Sequence, residues 1–365
     1  MFGLFGSGKK DWQASINAGE HKFTVKAGDN LLNAALGLGI PWPHDCRVGS
    51  CTTCKCILKS GKTKSLTDFS YVLDPDQLNE GWILACQTRL KSDVEVEVEL
   101  EDASRAHQVV KFEGSLSRIT NLTHDIKEIV VTADYSLPDR SGIAGQYAEI
   151  GASGISAPRS YSFAKAPENE AENEMTFFVR LVPGGEFTEW LFKQDRTGEK
   201  VTVAGPYGQF WLRPGDAQIV CIAGGSGISS IKAILESAVN EQVQRNCLFL
   251  FGARTQKDLY CLQEMDDIGT EWNQNHSFEF VPVLNMEPED SDWKGARGLV
   301  TDHLKSAYID TGKLSLKESQ GYLCGPPPMI DAAIEVMVAQ GMQEENIYFD
   351  KFLDASSMPG GRSNS

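Results

Sequence analysis

Four cysteines carry the clearest chemistry in this chain: Cys46, Cys51 and Cys54 share one short stretch, and Cys86 follows far downstream. Thiolates are soft ligands that suit zinc, copper and iron–sulfur centres. A C-x4-C-x2-C run with a distant fourth cysteine is the ligand spacing of a plant-type [2Fe–2S] cluster. Three thiolates from one tight loop must converge on two irons, and Gly49 permits the sharp backbone path this requires. Two other readings compete. Cys51-x2-Cys54 alone could be a redox dithiol, but it does not open a helix after the strand of a βαβ unit. A structural zinc site would pair two C-x2-C hooks, and Cys86 has no second cysteine beside it. Cys46, Cys51, Cys54 and Cys86 are therefore expected to hold a [2Fe–2S] cluster. Cys56, two residues past Cys54, is expected to point away by alternation.

Other stretches carry residues suited to phosphates and aromatic rings. Arg159-Ser160-Tyr161-Ser162 offers a guanidinium for a pyrophosphate, a ring that can stack on a flavin and a hydroxyl for a ring nitrogen. Alone, the tetrapeptide is better read as a plain strand. Gly184-Gly185-Glu186-Phe187-Thr188 is a Gly-rich turn feeding a helix start, which binds anions, and Thr188 can add a hydroxyl. Residues 219–228 run from a buried strand through Gly224, Gly225 and Gly227 into a helix. Such glycines let the backbone approach a pyrophosphate, whose charge the helix N-terminus stabilises. Cys324-Gly325-Pro326-Pro327-Pro328-Met329 stands at the C-end of another strand, where α/β sheets bind ligands. Cys324 is equally readable as a small packed residue.

The elements that must position these residues follow from pattern. Segments 12–16 and 21–25 read as strands and 31–38 as an apolar helix, while 94–100 alternates valine with glutamate like a half-buried strand. Between 104 and 212, short β-rich runs at 129–132, 147–150, 176–181 and 200–203 suggest an antiparallel barrel or sandwich. There, 166–174, with four glutamates and two asparagines, reads as a solvated hairpin loop. From 213 the pattern becomes strand, Gly-rich turn and helix, with strands at 219–223, 248–251, 278–283 and 322–324 and a helix at 230–238. That is an α/β unit with a parallel sheet.

Length and composition bound the rest. A chain of 365 residues exceeds one ordinary core, so two or three domains are expected. A formal net charge of −16 repels phosphate backbones and disfavours nucleic-acid binding. It suits a protein partner with a basic docking patch, although solubility alone also explains it. Nine cysteines, an odd number spread through the chain, argue for thiols or metal ligands in a reducing compartment rather than a disulfide framework. No apolar run approaches the roughly 20 residues of a membrane span, and the first residues lack a signal peptide's pattern. A cytoplasmic location is expected.

Together these motifs resemble the ferredoxin–NAD(P)+ reductase superfamily. Their order is similar to that of the reductase components of multicomponent bacterial oxygenases. Stretches 205–210, 224–229, 252–259 and 322–333 look most like phenol hydroxylase reductases, which serve soluble diiron monooxygenases. The resemblance implies a multi-domain α+β and α/β fold. Its parts are a flexible segment 1–10, a β-grasp plant-type ferredoxin domain 11–103 and an antiparallel β-barrel FAD domain 104–212. A doubly wound parallel-sheet NAD domain 213–354 and a flexible tail 355–365 follow. FAD would be held by Arg159, Ser160, Tyr161 and Ser162 and by Gly185 and Thr188, with Ser162 at the flavin edge. The nicotinamide dinucleotide would lie against Gly224, Gly225, Gly227, Gly325 and Pro326. Cys324 would sit near the reacting carbon, Arg254 beside the adenosine ribose, and the Phe352 ring over the flavin. An arginine at 254 could favour a 2′-phosphate and hence NADPH, but relatives with the same Gly-Ala-Arg use NADH, so NADH is expected. The implied activity passes a hydride from NADH to FAD, then single electrons through the cluster to an oxygenase, expected to be a diiron monooxygenase. A Rieske oxygenase or a membrane diiron desaturase or hydroxylase is the alternative acceptor, and a non-enzymatic redox sensor is the alternative of another class. A monomer is expected.

Overall fold

The structure, a computed structural model, describes residues 10–49, 51–101, 109–136 and 144–352. The flexible termini expected at 1–10 and 355–365, Lys10 apart, lie outside the described residues, as does the junction expected at 103 and 104. By its contacts the chain divides into two compact units: residues up to Val110 together with Gly205–Gln209, and Lys111–Ala204 together with Phe210 onward.

The first unit contains strands β1 (Trp12–Ile16), β2 (His21–Val25), β3 (Lys55–Ser60), β4 (Thr63–Ser65), β5 (Trp82–Leu84), β6 (Thr88–Leu90) and β7 (Val94–Glu97), with helices α1 (Leu31–Leu36) and α2 (Pro75–Glu80). A five-stranded sheet runs β2-β1-β7-β3-β5, and β4 pairs with β6. Period-two alternation sends Ala14, Ile16, Phe23, Val25, Val94 and Val96 inward. The strand expected over 94–100 stops at Glu97. Beyond it Val98 exchanges its backbone hydrogen bonds with the Asn17 side chain, at 2.9 and 3.0 Å, instead of a neighbouring strand. α1 starts at Asn30, whose side chain accepts the Asn33 N–H at 2.7 Å. α2 has a full capping box between Asp74 and Gln77, with Pro75 at its first turn and Gly81 closing it in the left-handed conformation.

The second unit opens with a six-stranded sheet of β8 (Val110–Asn121), β9 (Ile126–Ala133), β10 (Tyr147–Ala152), β11 (Arg159–Ser162), β12 (Glu174–Arg180) and β13 (Lys200–Tyr207), plus helix α3 (Glu186–Lys193). Its order is β11-β10-β13-β8-β9-β12. An antiparallel bridge between Phe163 and Phe177 links the β11 edge to β12, so the sheet nearly closes into a barrel.

The remainder alternates β14 (Gln218–Gly224), α4 (Ile228–Asn240), β15 (Cys247–Ala253), α5 (Leu262–Glu271), β16 (Phe278–Leu284), β17 (Ala296–Arg297), α6 (Val300–His303), β18 (Ser319–Gly325), α7 (Pro327–Ala339) and β19 (Ile347–Lys351). The parallel sheet is ordered β17-β16-β15-β14-β18-β19. One face packs α4 and α5 residues such as Ile231, Leu235 and Met265, and the other packs Leu304, Ile330 and Met337. With both faces covered, its strands are continuously apolar, as a doubly wound fold requires. The strand order reverses between β14 and β18, the topological switch point where such sheets bind ligands. Among the described residues no helix is long and apolar enough to cross a membrane.

Segment 166–174 departs from the solvated loop expected. Ala166 is fully buried and its N–H donates to Glu236 of α4 at 2.8 Å, so only the later part of the segment is solvent-facing.

Candidate functional site: a thiol cage and a dinucleotide cleft

The cysteine loop bends through left-handed backbone at Arg47 (φ 54°), Gly49 (φ 88°) and Thr52 (φ 60°). A Cβ on Gly49 would stand 2.8 Å from Cγ of Gln87. Gln87, the residue after Cys86, donates from Nε2 to the Arg47 carbonyl at 3.0 Å, so the distant segment holds the loop's shape. All four candidate cysteines are free of disulfides; Cys46 and Cys51 are half-buried, Cys54 and Cys86 buried. Their thiols meet in two pairs, Cys46 with Cys51 and Cys54 with Cys86. The Cys46 N–H also points at Cys51 Sγ at 3.4 Å. The hydrogen bond with Cys46, then burial, pushes the Cys51 thiol up. The hydrogen bond with Cys54, then burial, does the same to Cys86. Paired thiols that share a proton and are partly withdrawn from water resist ionising together unless cations share their charge. Two pairs of sulfurs suit two irons with two thiolates each, so the donor set fits a [2Fe–2S] cluster. Cys56 is fully buried, and burial raises its thiol far above the usual range.

Sequence reasoning missed what braces this loop. His44 is buried, and burial lowers its pKa to about 4, so it is neutral. Its Nε2 accepts the Gly208 N–H at 3.2 Å while Nδ1 donates to the Trp42 carbonyl at 2.7 Å. Asp45 accepts from the Gln209 N–H at 3.2 Å and from the Thr53 hydroxyl at 2.6 Å. The Arg47 guanidinium lies 3.6 Å above the Tyr207 ring. These partners are some 160 residues away, as Gly208 is from His44, and no local pattern links them.

Around β11, the structure brings together most of the residues expected to hold a flavin. Arg159 and Ser160 are exposed, Tyr161 is half-buried and Ser162 is buried. Among the described residues Arg159 forms no ion pair; its Nη1 donates to the Ala157 and Pro158 carbonyls at 2.7 and 3.1 Å. Burial raises the Tyr161 hydroxyl, against the opposing pull of Arg159. The Tyr161 ring rests on Phe187 of α3, centroids 5.4 Å apart. Gly185 leads α3, where a Cβ would stand 2.7 Å from Thr188 Oγ1. The Thr188 hydroxyl has partners within its own turn. It is buried, accepts the Val182 N–H at 3.1 Å and faces the Val182 and Gly185 carbonyls at 3.1 and 3.2 Å. It therefore stiffens the turn from inside. A guanidinium with no carboxylate partner among the described residues, beside a half-buried ring, fits a phosphate-bearing flavin.

At the switch point a cleft of about 440 Å³ opens, lined among others by Gly224, Gly225, Arg254 and Pro326. Its floor is two turns in contact: a Cβ on Gly325 (φ 142°) would stand 2.8 Å from the Gly224 carbonyl oxygen. Gly227 lies under the same turns, where a Cβ would stand 2.3 Å from the Cys324 carbonyl oxygen. Cys324 itself is fully buried, with the Ser230 hydroxyl 2.9 Å from its sulfur, and burial raises its thiol. Phe352 is half-buried against the α4–α5 core, its N–H donating to the Gly325 carbonyl at 2.9 Å. Arg254 stands between two carboxylates, 3.4 Å from Asp125 and 3.4 Å from Asp258. Burial would raise the Asp125 carboxyl, but hydrogen bonds from Thr123 and Arg180 hold it below the usual range. A glycine-floored cleft with a cation at its rim fits a dinucleotide. Asp125 comes from the turn between β8 and β9 and Arg180 from the end of β12, which is why sequence proximity did not reveal them.

Comparison with known proteins gives the same three parts. The chain matches a 2Fe-2S iron-sulfur cluster binding domain over residues 15–91, an oxidoreductase FAD-binding domain over 113–211 and an oxidoreductase NAD-binding domain over 221–335. It is 42% identical over 340 residues to the electron transfer component of xylene/toluene monooxygenase from Pseudomonas putida, covering 93% of each chain. It is 33% identical to the reductase component of phenol 2-monooxygenase from Pseudomonas sp. strain CF600, covering 93% of this chain and 94% of that one. Among solved structures, the cytochrome P450 reductase GcoB from Amycolatopsis superposes with a TM-score of 0.81 at 29% identity, covering 93% of this chain and 98% of that one. With its cluster-binding, FAD-binding and NAD-binding domains in this order and this degree of identity, the chain belongs to the family of iron–sulfur flavoprotein reductases that serve as electron-transfer components of oxygenases.

Proposed function

We propose that this reductase draws on NADH and supplies the oxygenase component of a diiron monooxygenase acting on aromatic compounds. The observation that carries the reading is the pairing of the four thiols in a chain that also holds a dinucleotide cleft at a sheet switch point. Bound FAD would supply the chemistry that links a two-electron hydride donor to a one-electron carrier such as a [2Fe–2S] cluster. Cys46, Cys51, Cys54 and Cys86 hold that cluster. Arg159 would pair with the flavin pyrophosphate, Tyr161 would pack against the ring system, and Ser162 would donate to its edge. The backbone of Gly224, Gly225 and Gly227, with Gly325 and Pro326, would admit the dinucleotide, and Phe352 would shield the flavin face. Cys324, buried below that turn, supports the nicotinamide side through its backbone. The similarity to the xylene/toluene and phenol enzymes' components supports an aromatic-hydroxylating acceptor. The net charge of −16 supports a partner with a basic docking face. NADH-driven turnover of an aromatic substrate by this protein with such an oxygenase, and none without it, is the expected result. Turnover with a ring dioxygenase alone would reassign the partner.

The pairing of Arg254 with Asp125 and Asp258 supports NADH over NADPH, because the two carboxylates already satisfy the guanidinium and repel a 2′-phosphate. Asp258 also accepts from Thr255 N and Oγ1, both at 2.8 Å. Asp258→Asn keeps an acceptor for that cap and removes the charge. It should raise kcat/KM for NADPH about tenfold, the equivalent of ~1.4 kcal/mol, with less effect on NADH. Steady-state kinetics with both dinucleotides checks this.

A further inference from the structure

The barrel and the parallel sheet share a buried apolar boundary, in which Ile126, Ala164 and Phe178 pack with Ile231, Ile234 and Leu235. Such contacts are non-directional and do not by themselves fix one element's register on another. A polar stripe crosses the same boundary. Lys232, Glu236 and Asn240 recur every fourth residue along α4 and so share one face. Lys232 is 2% exposed, donates from Nζ to the Ala164 carbonyl at 3.1 Å and is paired with Glu236. The Glu236 carboxylate in turn accepts the Ala166 N–H at 2.8 Å, and Asn240 Nδ2 donates to Asn169 Oδ1 at 3.1 Å. A buried ion pair is poor value as a stabiliser, since desolvation offsets its attraction; it is better suited to specifying one geometry. Here it connects two site elements. Ala164 lies two residues past Ser162, and α4 begins directly after Gly227.

We propose that Lys232 and Glu236 are positioning residues for hydride transfer, latching the dinucleotide-binding turn in register with the strand that faces the flavin. This rests on the reading of β11 and of the Gly224–Gly227 turn as flavin and dinucleotide sites. Neither side chain touches the reacting groups. The latch fixes the approach of the nicotinamide to the flavin ring, and hydride transfer is steep in that distance.

The test uses the full-length holoprotein and anaerobic rapid mixing with NADH. Lys232→Met leaves a buried carboxylate unpaired and should lower thermal stability, so it cannot separate position from folding. Lys232→Met combined with Glu236→Gln removes both charges and retains an acceptor for the Ala166 N–H. That double variant should keep FAD and cluster content and melt near the parent protein. Its flavin reduction should slow at least about tenfold with the apparent NADH dissociation constant within about twofold, because distance rather than affinity has changed. The long-wavelength absorbance of stacked reduced flavin and NAD+ should weaken with it. A double variant reduced at the parent rate with that absorbance intact would overturn the proposal. So would one that no longer retains FAD, since the pair would then serve assembly. Failure of the parent protein itself to reduce FAD with NADH would instead strike at the functional reading beneath.

Discussion

Cys86→Ser should abolish NADH-driven reduction of cytochrome c while leaving reduction of FAD by NADH largely intact. Cys86 is 1% exposed and pairs with Cys54, so its loss removes one of the two sulfurs from one half of the cage. It stands on the short turn Ala85–Gln87, which is tied on both sides. The Ala85 N–H donates to the Cys54 carbonyl at 3.2 Å, and the Leu66 N–H donates to the Gln87 carbonyl at 2.8 Å. A serine hydroxyl fits that space, so the fold should survive. Its oxygen is a poor substitute for a soft thiolate. Since even indirect supports of a metal centre matter by 10–100-fold, loss of a ligand should cost one-electron transfer at least about 100-fold. Iron content, cytochrome c reduction and anaerobic flavin bleaching, measured side by side, check the order of transfer. Loss of flavin reduction in a variant that still binds FAD would contradict it.

Gly227→Ala should be severely damaging to the dinucleotide cleft, though it adds a single methyl. The new carbon would stand 2.3 Å from the Cys324 carbonyl oxygen, 2.6 Å from its carbon and 2.9 Å from the Gly325 nitrogen. All three are backbone atoms of β18 and its turn, so no flexible side chain can give way. The conformation of Gly227 is ordinary helical backbone, φ −62° and ψ −16°, so the requirement is for space. Overpacking of this kind costs about 1–3 kcal/mol, or a fall in Tm of roughly 2–4 °C per kcal/mol for a domain this size. The larger effect should be functional. The turns that floor the cleft are pushed apart, and KM for NADH should rise at least about tenfold, the equivalent of ~1.4 kcal/mol. NADH oxidation with ferricyanide as acceptor checks this, and an unchanged KM would place the dinucleotide elsewhere.

What could be read beforehand was what local spacing encodes. The cysteine run, the glycine turns and the alternating strands Trp12–Ile16 and His21–Val25 depend on residues near one another in the chain. The twelve-residue strand Val110–Asn121 escaped notice, because it is only partly buried and its pairing with Ile126–Ala133 shifts register between Leu116 and Arg118. Helix α2 has strong end signals in Asp74, Pro75 and Gly81 but no buried face, so periodicity gave nothing to read. That the Thr188 hydroxyl also bonds Val182, six residues earlier, has no signature in the Gly-rich turn itself. The distant partners of His44, Asp125 and Lys232 had no local signature. Those long-range contacts are set by tertiary packing at separations of 55 to 164 residues.

The first unit is not continuous in sequence. It takes up Gly205–Gln209, whose backbone N–H groups at 208 and 209 satisfy His44 and Asp45 beside the cysteine loop. This places a constraint on how such proteins can be recombined. An iron–sulfur module exchanged between relatives at a single crossover near residue 100 would leave those five residues behind, in the recipient's version. A working chimera would need both pieces from one parent, so the unit of inheritance is a matched pair of segments rather than one block.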